Sequence, residues 1–178
     1  MSRFDSIIFF SECMILTVIS SVIMAQEVYP HRQNCCNKAE QVVDDIYDLV
    51  TFGPDETPDW DKVRSLFIPE AVIVLRTARN KTSVFTVDSF IQDFITFIQR
   101  ADVTERGFEE KIIQVKKMIF GDMASIQVLY EAHIPGSEKV PQQGVDNFSL
   151  IHKDNRWWIV SITNEIPTAN RPLPDELK

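Results

Sequence analysis

The segment GVDNFSLIHK, from Gly144 to Lys153, alternates with a period of two. That spacing puts Asp146 on the same side as Phe148 and Leu150, with Gly144 beside it. A carboxylate among large apolar neighbours has a raised pKa, and it can act as a general base or as a neutral hydrogen-bond donor. In the run MASIQVLYEAHI, the residues Ala124, Ile126, Val128, Tyr130, Ala132 and Ile134 form the apolar side. Tyr130 therefore shares an interior with Asp146 and could polarise a substrate oxygen. Tyr47, on an earlier amphipathic stretch, can join them. The candidate ligand-binding set is Tyr47, Tyr130, Asp146, Phe94 and Trp60, with Asp146 the candidate catalytic residue.

Each of these residues also has a structural use. Asp146 lies near the start of its strand, where it could cap a turn or pair with Arg76. Buried tyrosines are core aromatics whose hydroxyls reach water. On the opposite side of the same strands fall Gln127, Glu131 and His133, so a Glu131–His133 pair is expected to be solvated. The three histidines are dispersed, which argues against a multi-histidine metal site, and no cofactor is implied. There is no Gly-x-Ser-x-Gly elbow, phosphate-cradling glycine loop or His-Glu-x-x-His. The net charge is −8 and no block of Lys or Arg occurs, so nucleic-acid binding is not expected.

The elements that must position these groups are legible in outline. CNKAEQVVDDIYDLV reads as an amphipathic helix capped by Asn34 or Asn37. Asp59 caps a short helix over WDKVRSLF, and AVIVLRT is a β-branched strand. RNKTSVFT reads as a turn region, after which Thr86 or Asp88 caps an apolar helix rich in phenylalanine. Four strands then follow, with tight turns at Gly121–Asp122 and over KDNR. In the last strand strict alternation puts Trp157, Ile159, Ser161 and Thr163 on one face. Helices followed by a long meander make a segregated α+β domain, in which three N-terminal helices pack on a curved antiparallel sheet.

Residues 1–25 are mostly apolar after Arg3, interrupted by Asp5 and Glu12, with a core from Cys13 to Ala25 short for a membrane span, and predict a signal peptide cleaved near Ala25. The mature chain would then be exported, periplasmic or secreted, with no membrane association; an uncleaved N-terminal anchor is the alternative. Residues 26–35 read as a flexible segment, 36–167 as the domain and 168–178 as an extended, proline-bearing tail. Cys35 and Cys36 are adjacent, too close for an ordinary mutual disulfide. A dimer-linking disulfide, free thiols or a soft metal site with His31 are open to them.

The order of elements from Cys36 to Ile166 resembles the nuclear transport factor 2-like superfamily, and within it the SnoaL-like branch. DWDKVRSLFIPEAVIV looks like the family's second helix entering its first strand, and FSLIHKDNRWWIVSI like its closing hairpin. The resemblance implies a cystatin-like cone with an apolar interior. Members include isomerases, dehydratases, polyketide cyclases, transport adaptors and binding proteins, so the fold fixes no activity. Related isomerases use an acid and a tyrosine together. The resulting expectation is an exported pocket protein that binds a small apolar molecule. The alternatives are a lyase or isomerase with Asp146 as general base, and a module that forms a homodimer through the outer face of its sheet.

Overall fold

The computed structural model describes residues 37–78, 80–100 and 103–177; the expected signal peptide, Asn34, His31, Cys35 and Cys36 lie outside them. Helix α1 runs Ala39–Val50 and α2 Trp60–Arg64, followed by strands β1 Phe67–Ala78 and β2 Lys81–Phe85. Helix α3 covers Val87–Arg100 and a short α4 Val103–Arg106. Strands β3 Glu109–Phe120, β4 Met123–His133, β5 Gln142–Lys153 and β6 Arg156–Glu165 complete the chain, with a final 3-10 turn at Asp175–Leu177.

The six strands form one sheet in the order β2-β1-β6-β5-β4-β3. All neighbours are antiparallel except β1 and β6, which run parallel. The expected α+β cone is therefore present, with one parallel pair and a fourth, one-turn helix added. The region read as a turn before α3 instead contains β2, a five-residue edge strand in which Phe85 packs on the core and Val84 is exposed, too short and polar at its start to read as a strand.

Local chemistry explains the boundaries. The apolar stripe Val42, Val43, Ile46, Tyr47 and Val50 recurs at helical spacing and is fully covered in α1, and each aliphatic side chain so buried contributes about 1.5–3 kcal/mol. Lys38, not an asparagine, is the N-cap of α1, and it makes no side-chain cap bond. Asp59 caps α2 by accepting from Lys62 N at 3.0 Å. Thr86 and Ser89 form a reciprocal cap at the start of α3, each side-chain oxygen accepting from the other's backbone N–H at 3.3 and 2.9 Å. Between β5 and β6 the two turn residues Asp154 and Asn155 both have positive φ, 54° and 61°, as a type I′ hairpin requires.

Two β-bulges set which residues face the helices. In β3, Ile112 pairs with Tyr130 and Gln114 with Leu129, leaving Ile113 as the extra residue. In β6, Ser161 pairs with Ser149 and Ile159 with Leu150, leaving Val160 as the extra one. The inward set of β6 is therefore Trp157, Ile159, Ile162 and Asn164, and Ser161 and Thr163 do not share the face of Trp157 and Ile159, as strict alternation would have them, for that reason. Among the described residues no helix is long and apolar enough to cross a membrane.

Candidate functional site

A cavity of about 320 Å³ lies between α1, α3 and the sheet. That is at the small end of the range for ligand pockets, with room for a molecule of one or two rings. Its apolar wall comes from Val50 on α1, Phe90 and Phe94 on α3, Ile73 on β1, Phe148 on β5 and Ile162 on β6. Its polar lining includes one residue from each of four strands and one from α1, namely Glu110, Tyr130, Asp146, Asn164 and Tyr47, together with Arg76 and Thr77 on β1 and Asp93 on α3.

These groups form a directed network. Tyr47, buried by the α1 stripe, donates its hydroxyl to Asp146 Oδ2 at 2.7 Å. Asn164 sits directly across the ladder from Asp146 and donates Nδ2 to Asp146 Oδ1 at 2.7 Å. The same amide nitrogen donates to the Tyr130 hydroxyl at 3.0 Å, and Oδ1 of Asn164 accepts from the backbone N–H of Arg76 at 3.3 Å. That last bond fixes the amide's orientation, because only the carbonyl oxygen can accept. Tyr130 is thus an acceptor in the network and keeps its own proton to donate elsewhere.

Burial pushes the Asp146 carboxyl up to about 6, against the opposing pull of the two donors, Tyr47 and Asn164. Glu110 is pushed further, to about 8, first by burial and then by the negative charge of Asp146. Its backbone is tied to Thr51 Oγ1 through both N–H and C=O, at 3.0 and 3.2 Å, but among the described residues its carboxyl has no hydrogen-bond or ion-pair partner. Burial and the nearby carboxylates raise both tyrosines far above their ordinary range, so each stays a neutral donor. The one cation in the lining, Arg76, is held by Glu165, with Nε donating to Oε1 at 3.0 Å.

No protein-family model and no curated protein matches the sequence. Solved structures do match its backbone. A nuclear transport factor 2-like protein of unknown function from Pseudomonas putida aligns with a TM-score of 0.58 at 12% identity, over 78% of this chain and 92% of its own. A nuclear transport factor 2-like protein with a cystatin-like fold from Novosphingobium aromaticivorans gives 0.58 at 12% identity, over 74% and 82%. The chain has the nuclear transport factor 2-like fold. A candidate dehydratase of that fold from Streptomyces avermitilis aligns at 0.54 and 12% identity, over 73% and 94%.

Within this nuclear transport factor 2-like cone, Tyr47, Phe94, Tyr130 and Asp146 all line one cavity. Trp60 does not. It stands at the start of α2 and meets Phe94 edge-on, with ring centroids 5.5 Å apart, and Phe94 is the ring that reaches the cavity. Asp146 is not paired with Arg76, whose partner is Glu165. His133 lies on the outer side as expected, but its nearest acid is Glu109, 3.4 Å away, because the β3–β4 register sets those two residues directly opposite. Glu110 and Asn164 were missed by the sequence reading. Glu110 does alternate with the inward Ile112, and that was the available signal.

Proposed function

We propose that the protein binds a small molecule whose apolar body fills the cavity and whose polar group meets Tyr130, Asp146 and Glu110. The observation that carries this reading is the pairing of an open, mostly apolar cavity with an uncommitted carboxyl and an uncommitted hydroxyl proton inside it. Polar groups kept unsatisfied in a protein interior cost stability, and a ligand that bonds to them offsets that cost. Phenethyl alcohol should raise the melting temperature in a saturable manner, and Val50→Phe, which fills the cavity from α1, should remove the effect. A rise that persists in Val50→Phe would place the binding elsewhere and defeat the proposal.

A second reading is favoured by one further observation: Asp146 and Glu110 are poised on either side of neutrality, at about 6 and about 8. Environments that split two carboxyls in this way supply a base and a neutral acid in one site. Asp146 would take a proton next to a carbonyl while Tyr130 or Glu110 donates to the oxygen, the chemistry of an isomerase or lyase. Deuterium exchange into phenylacetone, followed by NMR, tests it. Acceleration by the protein that Asp146→Asn abolishes supports catalysis; no acceleration leaves binding alone.

Export after cleavage near Ala25, and pairing of two copies through the outer sheet face, belong to the same proposal. N-terminal sequencing of the secreted product and light scattering at micromolar concentration check them, and a monomeric mass removes the dimer.

A further inference from the structure

The functional reading above leaves the chemistry of the polar group open. We propose that the cavity selects an organic cation, a primary or secondary ammonium on an apolar body, held between Glu110 and Asp146. This rests on the pocket reading and narrows it.

Three observations converge. First, the lining holds three acids, Asp93, Glu110 and Asp146, against one cation, Arg76, whose charge is taken by Glu165 outside the lining. Among the described residues neither Glu110 nor Asp146 has a positive partner. Two acids facing one apolar space without a counter-charge do not readily ionise together, and a bound cation would let both do so. Second, the hydrogen-bond count favours a donor-rich guest. Each Asp146 oxygen accepts one bond, from Asn164 or from Tyr47, and keeps acceptor capacity, while the Glu110 carboxylate has all of its own free. An ammonium group carries three donors and no acceptor, which matches this surplus; a carboxylate guest would add to it. Third, aromatic rings surround the space. Tyr47, Phe90, Phe94, Phe97, Tyr130 and Phe148 all contribute to the lining, and ring faces attract cations most strongly where water is excluded.

The proton balance gives the inference a signature. Free Glu110 holds its proton at neutral pH, whereas the ammonium complex needs the carboxylate, so binding sends one proton from Glu110 to solvent. Affinity for an ammonium therefore rises with pH up to the Glu110 value and levels off above it. The groups that face Glu110 across the cavity are Asp146 from β5, Tyr130 from β4, Tyr47 from α1, Asp93 from α3 and Arg76 from β1. Of these, Asp146 reinforces the trend because it also loses its proton more readily beside a cation. The two tyrosines stay neutral and Arg76 stays charged throughout.

The test is calorimetry with phenethylammonium, phenethyl alcohol and phenylacetate on the intact protein, in buffers of different ionisation enthalpy. The expected result is tightest binding by the ammonium, with proton release near neutrality that the alcohol does not show. Glu110→Gln should weaken the ammonium by at least about tenfold, and by clearly more than it weakens the alcohol. Equal binding of ammonium and alcohol, tighter binding of phenylacetate, or an ammonium affinity unchanged by Glu110→Gln would each overturn the cation assignment while the pocket reading survives. Failure of all three probes to bind would remove both.

Discussion

Glu110→Gln raises the melting temperature by at least about 4 °C at about pH 9 and changes it little at about pH 4. The argument follows from where the proton sits. In the folded protein the Glu110 carboxyl titrates at about 8, against an ordinary value of 4.5 when it is exposed by unfolding. Between those two values the folded state keeps a proton that the unfolded state has lost. Stability therefore falls as pH rises through that window and stays lower above it. Each unit of displacement corresponds to about 1.4 kcal/mol, so the full loss is on the order of 2–5 kcal/mol once local relaxation is allowed for. Glutamine has nearly the same shape and no proton to lose, so its stability curve lacks this decline. Asp146, raised to about 6, contributes a smaller decline at lower pH in both proteins. Thermal melts across pH decide the matter: parallel curves for the two proteins would mean that Glu110 is solvated and that the cavity carries no unpaired acid. The same variant stays folded for the cation test, so a lost ammonium affinity could not be blamed on unfolding.

How far this site was legible in the sequence depended on where the strands break period. Tyr47 lies in an uninterrupted helical stripe, and Tyr130 and Asp146 lie in stretches of β4 and β5 whose alternation runs unbroken, so their inward facing could be read directly. Asn164 could not be found the same way. Counting by twos from Trp157 reaches Ser161 and Thr163, and only the bulge at Val160 moves Ile162 and Asn164 inside. The apolar Ile162 between two hydroxyl residues was the one trace of that shift. In β3 the pair Ile112–Ile113 made both phases look apolar, because the bulge spends one isoleucine on each face, and Glu110 was left without an assigned side. Trp60 shows the opposite limit: it does pack inward, but its distance from the cavity is set by its contact with Phe94, which no local pattern encodes.

Gly144→Ala lowers stability by about 1–3 kcal/mol, although in a strand the same change would ordinarily stabilise by about 0.5–1 kcal/mol. Gly144 lies directly opposite Tyr130 in the β4–β5 ladder. A methyl group there would stand 2.3 Å from the Tyr130 hydroxyl oxygen and 2.4 Å from the ring carbon that bears it. Its φ is not in the left-handed range, so the backbone itself would accept alanine, and the whole penalty comes from the ring. Tyr130 is buried against Tyr47, with centroids 5.9 Å apart, and cannot swing towards α1 without disturbing the residue that holds Asp146. The ring must lift, which stretches its 3.0 Å bond from Asn164 and pushes it into the cavity. Glycine at this position is thus what lets a tyrosine lie flat on the sheet with its hydroxyl beside Asp146 and Asn164. A double-mutant cycle isolates the effect. In a Tyr130→Ala background, Gly144→Ala should become neutral or stabilising, a coupling of at least about 1 kcal/mol between the two positions. Additive losses would mean that Gly144 serves the backbone, and that the placement of Tyr130 does not depend on it.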